Sequence, residues 1–283
     1  MSNETRLAII DEIESALAGR PAVAVATVVA SGAQALALGA KLLVRRDGSV
    51  VGALDGGPVD AAIREAAVEA LEARPRLESQ PLYVDATRGA VTRRSQAREG
   101  DAQLMLEIYE APGKLLVVGG GHVGLALATI GDIVGFQVTV VDDREEFANA
   151  QRFPMAREAH SGEIGAILDG LAIDERTHVV MVSRGHTLDE LALRKTVSRG
   201  AAYVGMIGSR RRTETVLQHL ANEGFSVDDL GAVRTPIGLD IGAETPEEIA
   251  LSILGEILML RHGGSGRPMR DVRRRATPVA PAS

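Results

Sequence analysis

The chain has 283 residues, a length at which about two domains are expected. Its content of 45% hydrophobic and 24% charged residues is typical of a globular protein. The net charge of −7 leaves no basic surplus for a general nucleic-acid-binding protein. Cysteine is absent, which excludes disulfides, thiolate metal sites and cysteine nucleophiles. The acidic N-terminal segment is not expected to be a signal peptide, and no apolar run is long enough for a membrane span, so we expect a cytoplasmic protein.

The first part of the chain, residues 1–111, is predicted to form an α+β domain. Helical spacing near the start places Ile10, Ile13 and Leu17 on one face. The Asp47–Gly48 pair between two apolar stretches predicts a hairpin. In chain order, the predicted elements are a helix over 7–17, strands over 22–29, 42–44 and 50–54, a helix from Asp60 to about Ala73, and strands over 83–86 and 104–108, with a loop over 87–101.

Proline and glycine at Ala111–Lys114 predict a domain boundary. After it, apolar strands alternate with helices, which implies a parallel sheet covered by helices. The predicted fold class is therefore α/β, with an N-terminal α+β domain followed by a Rossmann-like doubly wound parallel-sheet domain over 114–262. A disordered basic tail is predicted over 263–283. The predicted strands lie over 114–118, 137–141, 178–183 and 201–207, and the predicted helices over 123–134, from Thr187, from Ser209 and over 249–260.

A G-x-G-x-x-G motif follows the predicted strand over 114–118 and opens the next helix, which is the context of a dinucleotide-binding fingerprint. Gly119 allows the tight turn, Gly121 lets a pyrophosphate approach the backbone, and Gly124 lets the helix pack closely on the strand. The N–H groups and the dipole at the helix start favour a phosphate. His122 lies among these glycines and is predicted to line the cleft.

An acidic residue, Asp142, ends the next predicted strand at the spacing that this fingerprint requires. Its carboxylate can accept hydrogen bonds from the ribose hydroxyls of NAD or another nucleotide and would repel a 2′-phosphate, a preference that Arg144 complicates. The alternative is a Rossmann-like fold that keeps its glycines for packing and binds no nucleotide.

The sequence SRGHT lies where another predicted strand ends and a helix begins, a place where open α/β sheets bind ligands. There Arg184 could clamp a phosphate, and His186 could donate a hydrogen bond or move a proton. Thr187 and Glu190 match a capping box, which is a purely structural interpretation of part of this motif.

A third strand-to-helix turn contains Ser209, a good N-cap residue, followed by Arg210. Its backbone amides and Arg210 are predicted to form a second anion site, and the alternative is a capped helix with exposed arginines. The histidines do not follow a metal-ligand spacing, so we predict neither a metal site nor a catalytic residue.

With these motifs together, the chain resembles the XdhC/CoxI family of maturation factors for molybdenum hydroxylases, such as xanthine and carbon monoxide dehydrogenases. The resemblance implies a chaperone that binds the molybdenum cofactor. It also implies that a cysteine desulfurase partner replaces an oxo ligand of the cofactor by sulfur, and that a hydroxylase client receives the product. The sequence leaves open whether the chain forms a homodimer. The resemblance rests mainly on the segments VVGGGHVGLALA, VTVVDDREEFANAQRFP, SRGHTLDELAL, AAYVGMIGSRRR and PIGLDIGAETPEEIALSILGEIL.

The first half departs from the family pattern at three places. Gly32–Leu36 stands in place of a GSAPR-like segment, Gly56–Asp60 lacks the cysteine of GGCVE, and Arg98–Asp101 replaces a later CGG. Because the chain has no cysteine, no thiolate of this protein can bind molybdenum. We expect a pterin cofactor to be held by phosphate contacts in the Rossmann cleft and by backbone amides around Gly56–Gly57.

Two other functions stay open from the sequence. The nucleotide fingerprint and His186 are compatible with an NAD-dependent oxidoreductase, although no convincing acid–base pair accompanies this histidine. A regulatory subunit that senses a nucleotide through its Rossmann domain is the other alternative.

Overall fold

The structure, a computed structural model, describes residues 2–73 and 76–272 except for the side chain of His186. It divides into two compact units, residues 1–111 and 112–283. The α/β class is confirmed, with an antiparallel sheet in the first unit and a parallel sheet in the second. Of the predicted disordered tail, residues 263–272 contain a short 3₁₀ turn at Met269–Asp271, and residues 273–283 lie outside the described residues. Within the described ranges, no helix is long and apolar enough to cross a membrane.

The first unit is a six-stranded antiparallel sheet with two helices. The elements are α1 (Asn3–Leu17), β1 (Val23–Ala30), β2 (Lys41–Arg45), β3 (Val50–Val51), α2 (Pro58–Glu72), β4 (Ser79–Asp85), β5 (Gly89–Val91) and β6 (Ala102–Tyr109). The strand order in the sheet is β3-β2-β1-β6-β4-β5. The predicted hairpin is present, and Gly48 adopts the positive φ of +80° that the Asp–Gly signal anticipates.

Strand β1 is buried on both faces of this sheet. Val23 and Val25 pack in a cluster with residues of α1, whereas Ala24 and Ala26 pack in the larger cluster that includes Ile63 of α2. Because successive strand residues point to opposite faces, this alternation shows that α1 and α2 cover opposite sides of the sheet.

Helix α1 is present as predicted, but its buried stripe lies one position away from the face of Ile10, Ile13 and Leu17. Ile10 and Leu17 are 48% and 47% exposed, whereas Ile9 and Ala16 are buried and Ile13 is half-buried. The helical period was correct, but the stripe that meets the sheet runs through positions 9, 13 and 16, which is the i, i+4, i+7 pattern. The predicted loop over 87–101 also contains β5, a short edge strand paired with β4.

The second unit contains a five-stranded parallel sheet and six α-helices among its described residues. The elements are β7 (Lys114–Val118), α3 (His122–Ile133), β8 (Gln137–Asp142), β9 (Glu158–Ser161), α4 (Ile164–Gly170), β10 (Thr177–Met181), α5 (His186–Thr196), β11 (Tyr203–Met206), α6 (Arg210–Asn222), α7 (Val227–Ala232) and α8 (Pro246–His262). The strand order is β11-β10-β7-β8-β9. The predicted strands and the long helices are confirmed to within a few residues, whereas β9, α4 and α7 were not predicted.

The central strand β7 shows that helices cover both faces of this sheet. Leu115 and Val117 pack in the cluster that includes residues of α3 and α8, and Leu116 and Val118 pack in the cluster of α4, α5 and α6. The chain order reverses between β7 and β10, so a topological switch point lies between these strands. In doubly wound folds, ligands bind beyond the carboxyl ends of the strands at such a point.

Candidate functional site

The glycine turn, residues 119–121, connects β7 to α3 and lies at the switch point between β7 and β10. Gly119 has a φ of +112°, and a Cβ there would lie 2.8 Å from the backbone nitrogen of Ser183. A Cβ on Gly124 would lie 1.9 Å from the carbonyl oxygen of Gly119. A Cβ on Gly121, in contrast, would meet no described heavy atom within 4 Å. Packing therefore requires Gly119 and Gly124, while Gly121 faces open space.

The middle residue of the turn, Gly120, is held from three sides. A Cβ there would lie 1.7 Å from the carbonyl oxygen of Phe147. Its N–H donates to Oδ2 of Asp142 at 2.8 Å, and its carbonyl accepts from Nε of Arg152 at 3.0 Å. Gly120, Phe147 and Arg152 were not predicted from the sequence. The available signal for Gly120 was that glycine also occupies the position between the first two glycines of the G-x-G-x-x-G motif.

Asp142 is buried, with 1% of its surface exposed. Besides Gly120, Arg144 donates to it from the backbone nitrogen at 3.1 Å, from Nε at 3.0 Å and from Nη2 at 3.3 Å. Burial alone would raise the pKa of Asp142, but these hydrogen bonds outweigh it and hold this pKa below its ordinary value. We call Gly120, Asp142 and Arg144 the carboxylate clasp.

The guanidinium of Arg144 also lies over the ring of Phe147, 3.8 Å from its centroid, in a cation–π contact. From the sequence, Asp142 was predicted to be able to accept hydrogen bonds from ribose hydroxyls. In the structure, both carboxylate oxygens instead contact the protein's own donors.

The turn after β10 packs directly against the glycine turn. The hydroxyl of Ser183 donates to Oδ1 of Asp189 at 2.6 Å, and the guanidinium of Arg212 lies 3.8 Å from the other oxygen of this buried carboxylate. Helix α5 begins at His186 with Gly185 at the N-cap, so the predicted capping box of Thr187 and Glu190 is wrong. Ser183, Asp189 and Arg212 are further residues that the sequence analysis missed.

Arg184 is exposed in this turn, and the side chain of His186 lies outside the described residues. The turn after β11 lies alongside, because the N–H of Ile207 donates to the carbonyl of Met181 at 2.9 Å. Ser209 is the N-cap residue of α6, as predicted, and both it and Arg210 are exposed.

All candidate residues therefore lie at the carboxyl ends of the parallel strands β7, β8, β10 and β11. This placement follows from the parallel pairing of the strands. His122 is exposed at the start of α3. In the described part of the chain, no group of three His, Asp or Glu side chains is arranged to hold a metal ion.

The structure contradicts the expectation that amides around Gly56–Gly57 are available to a cofactor. The N–H of Gly56 donates to Asp60 at 3.0 Å, and the N–H of Gly57 donates to Asp55 at 2.8 Å. Burial acts to raise the pKa of Asp55, but backbone hydrogen bonds outweigh it and lower this pKa. The turn therefore carries two carboxylates, which disfavour a phosphate.

Comparison with family models gives two matches. The XdhC Rossmann domain matches residues 115–257, about half of the chain, and the XdhC and CoxI family matches residues 16–80. The chain belongs to the XdhC and CoxI family. The first match covers the parallel sheet from the second residue of β7 onward and all of the candidate residues, so the doubly wound unit is the Rossmann domain of this family.

Three curated relatives are similar to the chain. The uncharacterized protein YqeB of Escherichia coli is 32% identical over 80% of this chain and 41% of its own length. A probable xanthine dehydrogenase subunit of Bacillus subtilis is 28% identical over 56% of this chain and 46% of its own length. The molybdenum cofactor insertion chaperone PaoD of Escherichia coli is 27% identical over 92% of this chain and 90% of its own length. The matched segments thus span less than half of the first two relatives.

A crystal structure described as a xanthine dehydrogenase from Bacillus halodurans is also similar. It superposes with a TM-score of 0.52 and 19% identity, and the match covers 93% of this chain and 98% of the other. At this level of identity, the similarity establishes the fold alone.

Proposed function

We propose that this protein is a maturation factor for a molybdenum hydroxylase, and that its Rossmann domain holds the phosphate end of the molybdenum cofactor before delivery. The observation that carries the proposal is the glycine turn at the switch point, where Gly121 faces open space at the start of α3. Such a helix N-terminus attracts phosphate. The relative PaoD, named as a molybdenum cofactor insertion chaperone, matches almost the entire chain.

The residues at this edge suit the phosphate end of the cofactor. The backbone at Gly121 and His122 can approach a phosphate closely, and the exposed cations Arg184 and Arg210 lie on the neighbouring turns. When bound, the cofactor supplies the molybdenum centre that the hydroxylase client uses. This chain has no cysteine to bind the metal, so in this proposal the protein holds the cofactor through its phosphate.

The absence of cysteine also supports a cysteine desulfurase as a second partner. A sulfur that replaces an oxo ligand of the cofactor cannot pass through a thiol of this chain, so it would come from a partner protein. In this scheme the protein protects the cofactor during sulfuration and then passes it to the client. A homodimer is an additional proposal, which light scattering on the purified protein tests.

The main experiment is an anaerobic equilibrium titration of the full chain with isolated molybdenum cofactor at low and high salt. We expect binding that weakens with salt, because exposed phosphate contacts are screened. Gly121→Val should weaken binding by about tenfold or more, since a side chain there blocks close approach of the phosphate. Arg184→Ala and Arg210→Ala should each weaken it by about three- to tenfold.

The matched control is Gly170→Val, because a Cβ at Gly170 also meets no described atom within 4 Å but lies at the end of α4. It should bind the cofactor as the wild type does. Equal, salt-insensitive retention by wild type and Gly121→Val would contradict the proposed site. Hydride transfer to NAD from a substrate would instead support the oxidoreductase alternative.

A further inference from the structure

We propose that Arg144 is a specificity-determining residue that closes the ribose subsite of the Rossmann domain. The ligand of the glycine turn is then a phosphate or diphosphate ester that makes no ribose contact at Asp142, rather than an adenine dinucleotide. The inference rests on the proposed function, because it takes the glycine turn as a phosphate site.

The acceptor sites of the Asp142 carboxylate are already used by hydrogen bonds within the protein. An ionised carboxylate has two oxygens with about four acceptor sites in total. Four donors already use them, namely the N–H of Gly120 and the backbone nitrogen, Nε and Nη2 of Arg144. A dinucleotide normally presents ribose hydroxyls to this acidic residue. Here those hydroxyls would have to displace the arginine.

Arg144 is itself fixed by contacts with neighbouring side chains. Its guanidinium lies 3.8 Å from the ring centroid of Phe147, and its Nε lies 3.5 Å from the carboxylate of Asp143. The backbone of Phe147 in turn abuts Gly120, because its carbonyl oxygen occupies the place of a side chain there. Removing the arginine from Asp142 would therefore break several contacts at once.

A 2′-phosphate is also disfavoured here, although an arginine at this position can accommodate one in other dinucleotide sites. Arg144 already interacts with Asp142 and Asp143 and with the charge of Glu146. These carboxylates repel a phosphate dianion. The adenosine side of the turn thus suits neither a ribose nor its 2′-phosphate, and the ligand extends towards β10 and β11, where Arg184 and Arg210 are exposed.

The test compares inorganic pyrophosphate with ADP-ribose, which carries a ribose on both sides of its diphosphate and cannot avoid the subsite by reversing. Calorimetry on the full wild-type chain should give affinities for the two ligands within about threefold of each other. In Arg144→Ala, ADP-ribose should gain about tenfold or more while pyrophosphate changes by less than about threefold, because Asp142 regains acceptor sites.

Arg144→Met is the second variant, since it keeps an apolar contact with Phe147 but removes the donors; it should show the same gain. Adding Asp142→Asn to it should abolish the gain. Arg157→Ala is the matched control. This exposed arginine precedes β9 and donates a hydrogen bond to Oε1 of Gln137 at the amino ends of the strands, opposite the glycine turn. It should leave both affinities unchanged.

A wild-type preference of more than about tenfold for ADP-ribose over pyrophosphate would overturn the role of Arg144, as would variants that leave the ratio unchanged. In both cases continued binding of pyrophosphate would keep the proposed phosphate site intact. If neither the wild-type chain nor any of these variants binds either ligand, both the proposed phosphate site and this inference are wrong.

Discussion

The two units each contain a glycine turn between a strand and a helix, but they use the turn differently. In the first unit, Asp55 accepts from the N–H groups of Val59 and Asp60 at the start of α2, and Asp60 accepts from Gly56. In the second, no described side chain caps the start of α3, and Gly121 faces open space. We therefore expect anion binding at the start of α3, as proposed above, and not at the start of α2, where the chain's own carboxylates already accept from the backbone.

The largest effect on the difference between the two turns should come from a side chain in the filled space beside the second turn. Gly120→Ala places a Cβ 1.7 Å from the backbone oxygen of Phe147, which has no flexible end to move away. We expect a loss of about 3 kcal/mol in the free energy of unfolding of the second unit. Hydrogen exchange followed by mass spectrometry in urea reports each unit separately and would measure it.

Gly121→Ala is the matched control, because its Cβ meets open space and its φ of −67° suits alanine. It should cost less than about 1 kcal/mol. Equal stability losses for the two variants would show that the glycine turn has no open side, and the contrast with the first unit would disappear.

The stabilities of the two units should also respond differently to acid pH. All six histidines lie after residue 111, and burial lowers the pKa of His178 from 6.5 to about 4. Below pH 6.5 the unfolded chain takes up a proton that the folded unit does not, so stability falls as pH decreases. The expected slope is about 1.4 kcal/mol per pH unit between pH 6.5 and 4.

Hydrogen exchange at pH 7 and pH 5, corrected for the intrinsic exchange rate, measures this slope in each unit. His178→Gln, which carries no charge at either pH, should flatten it in the second unit. The first unit contains no histidine and should keep its stability over this range. An equal loss in both units would mean that His178 is not the source.

The fold was more predictable than the site, for a physical reason. Strand β7 is buried on both faces and therefore reads as an unbroken apolar run, which is a local signal. In contrast, β9 has the polar sequence EAHS at the sheet edge, and α7 is only six residues long, so neither carries a periodic pattern.

The glycine fingerprint predicted Gly119, Gly121 and Gly124 from local spacing, and packing requires the first and the last of them. The carboxylate clasp was not predictable in this way. Spacing places Asp142 near the turn, but only the folded chain shows that Arg144 and the backbone take up its acceptor sites. Residue type and spacing thus predicted a candidate site without deciding what its acid binds.

A smaller effect should come from removing the acid of the clasp. Asp142→Ala leaves the N–H of Gly120 and the guanidinium of Arg144 without their acceptor, and we expect a loss of about 2 kcal/mol in the second unit. Asp143→Ala is the control, since the side chain of Asp143 is 57% exposed; it should change stability by less than about 0.5 kcal/mol. Urea unfolding at pH 7 measures both. Equal losses would show that the clasp contributes nothing beyond a surface ion pair.

The smallest expected effect lies in the first unit. Asp60→Ala removes the acceptor for the N–H groups of Leu54 and Gly56, which solvent can partly replace because this turn is largely exposed. We expect a loss of about 1 kcal/mol, confined to the first unit, when unfolding is followed by hydrogen exchange. Pyrophosphate binding should not change, because the charge removed lies outside the Rossmann domain. A gain in pyrophosphate affinity would instead mean that the turn at Gly56 becomes an anion site once the Asp60 carboxylate is gone, even though Asp55 still accepts from the N–H groups of Gly57 and Val59.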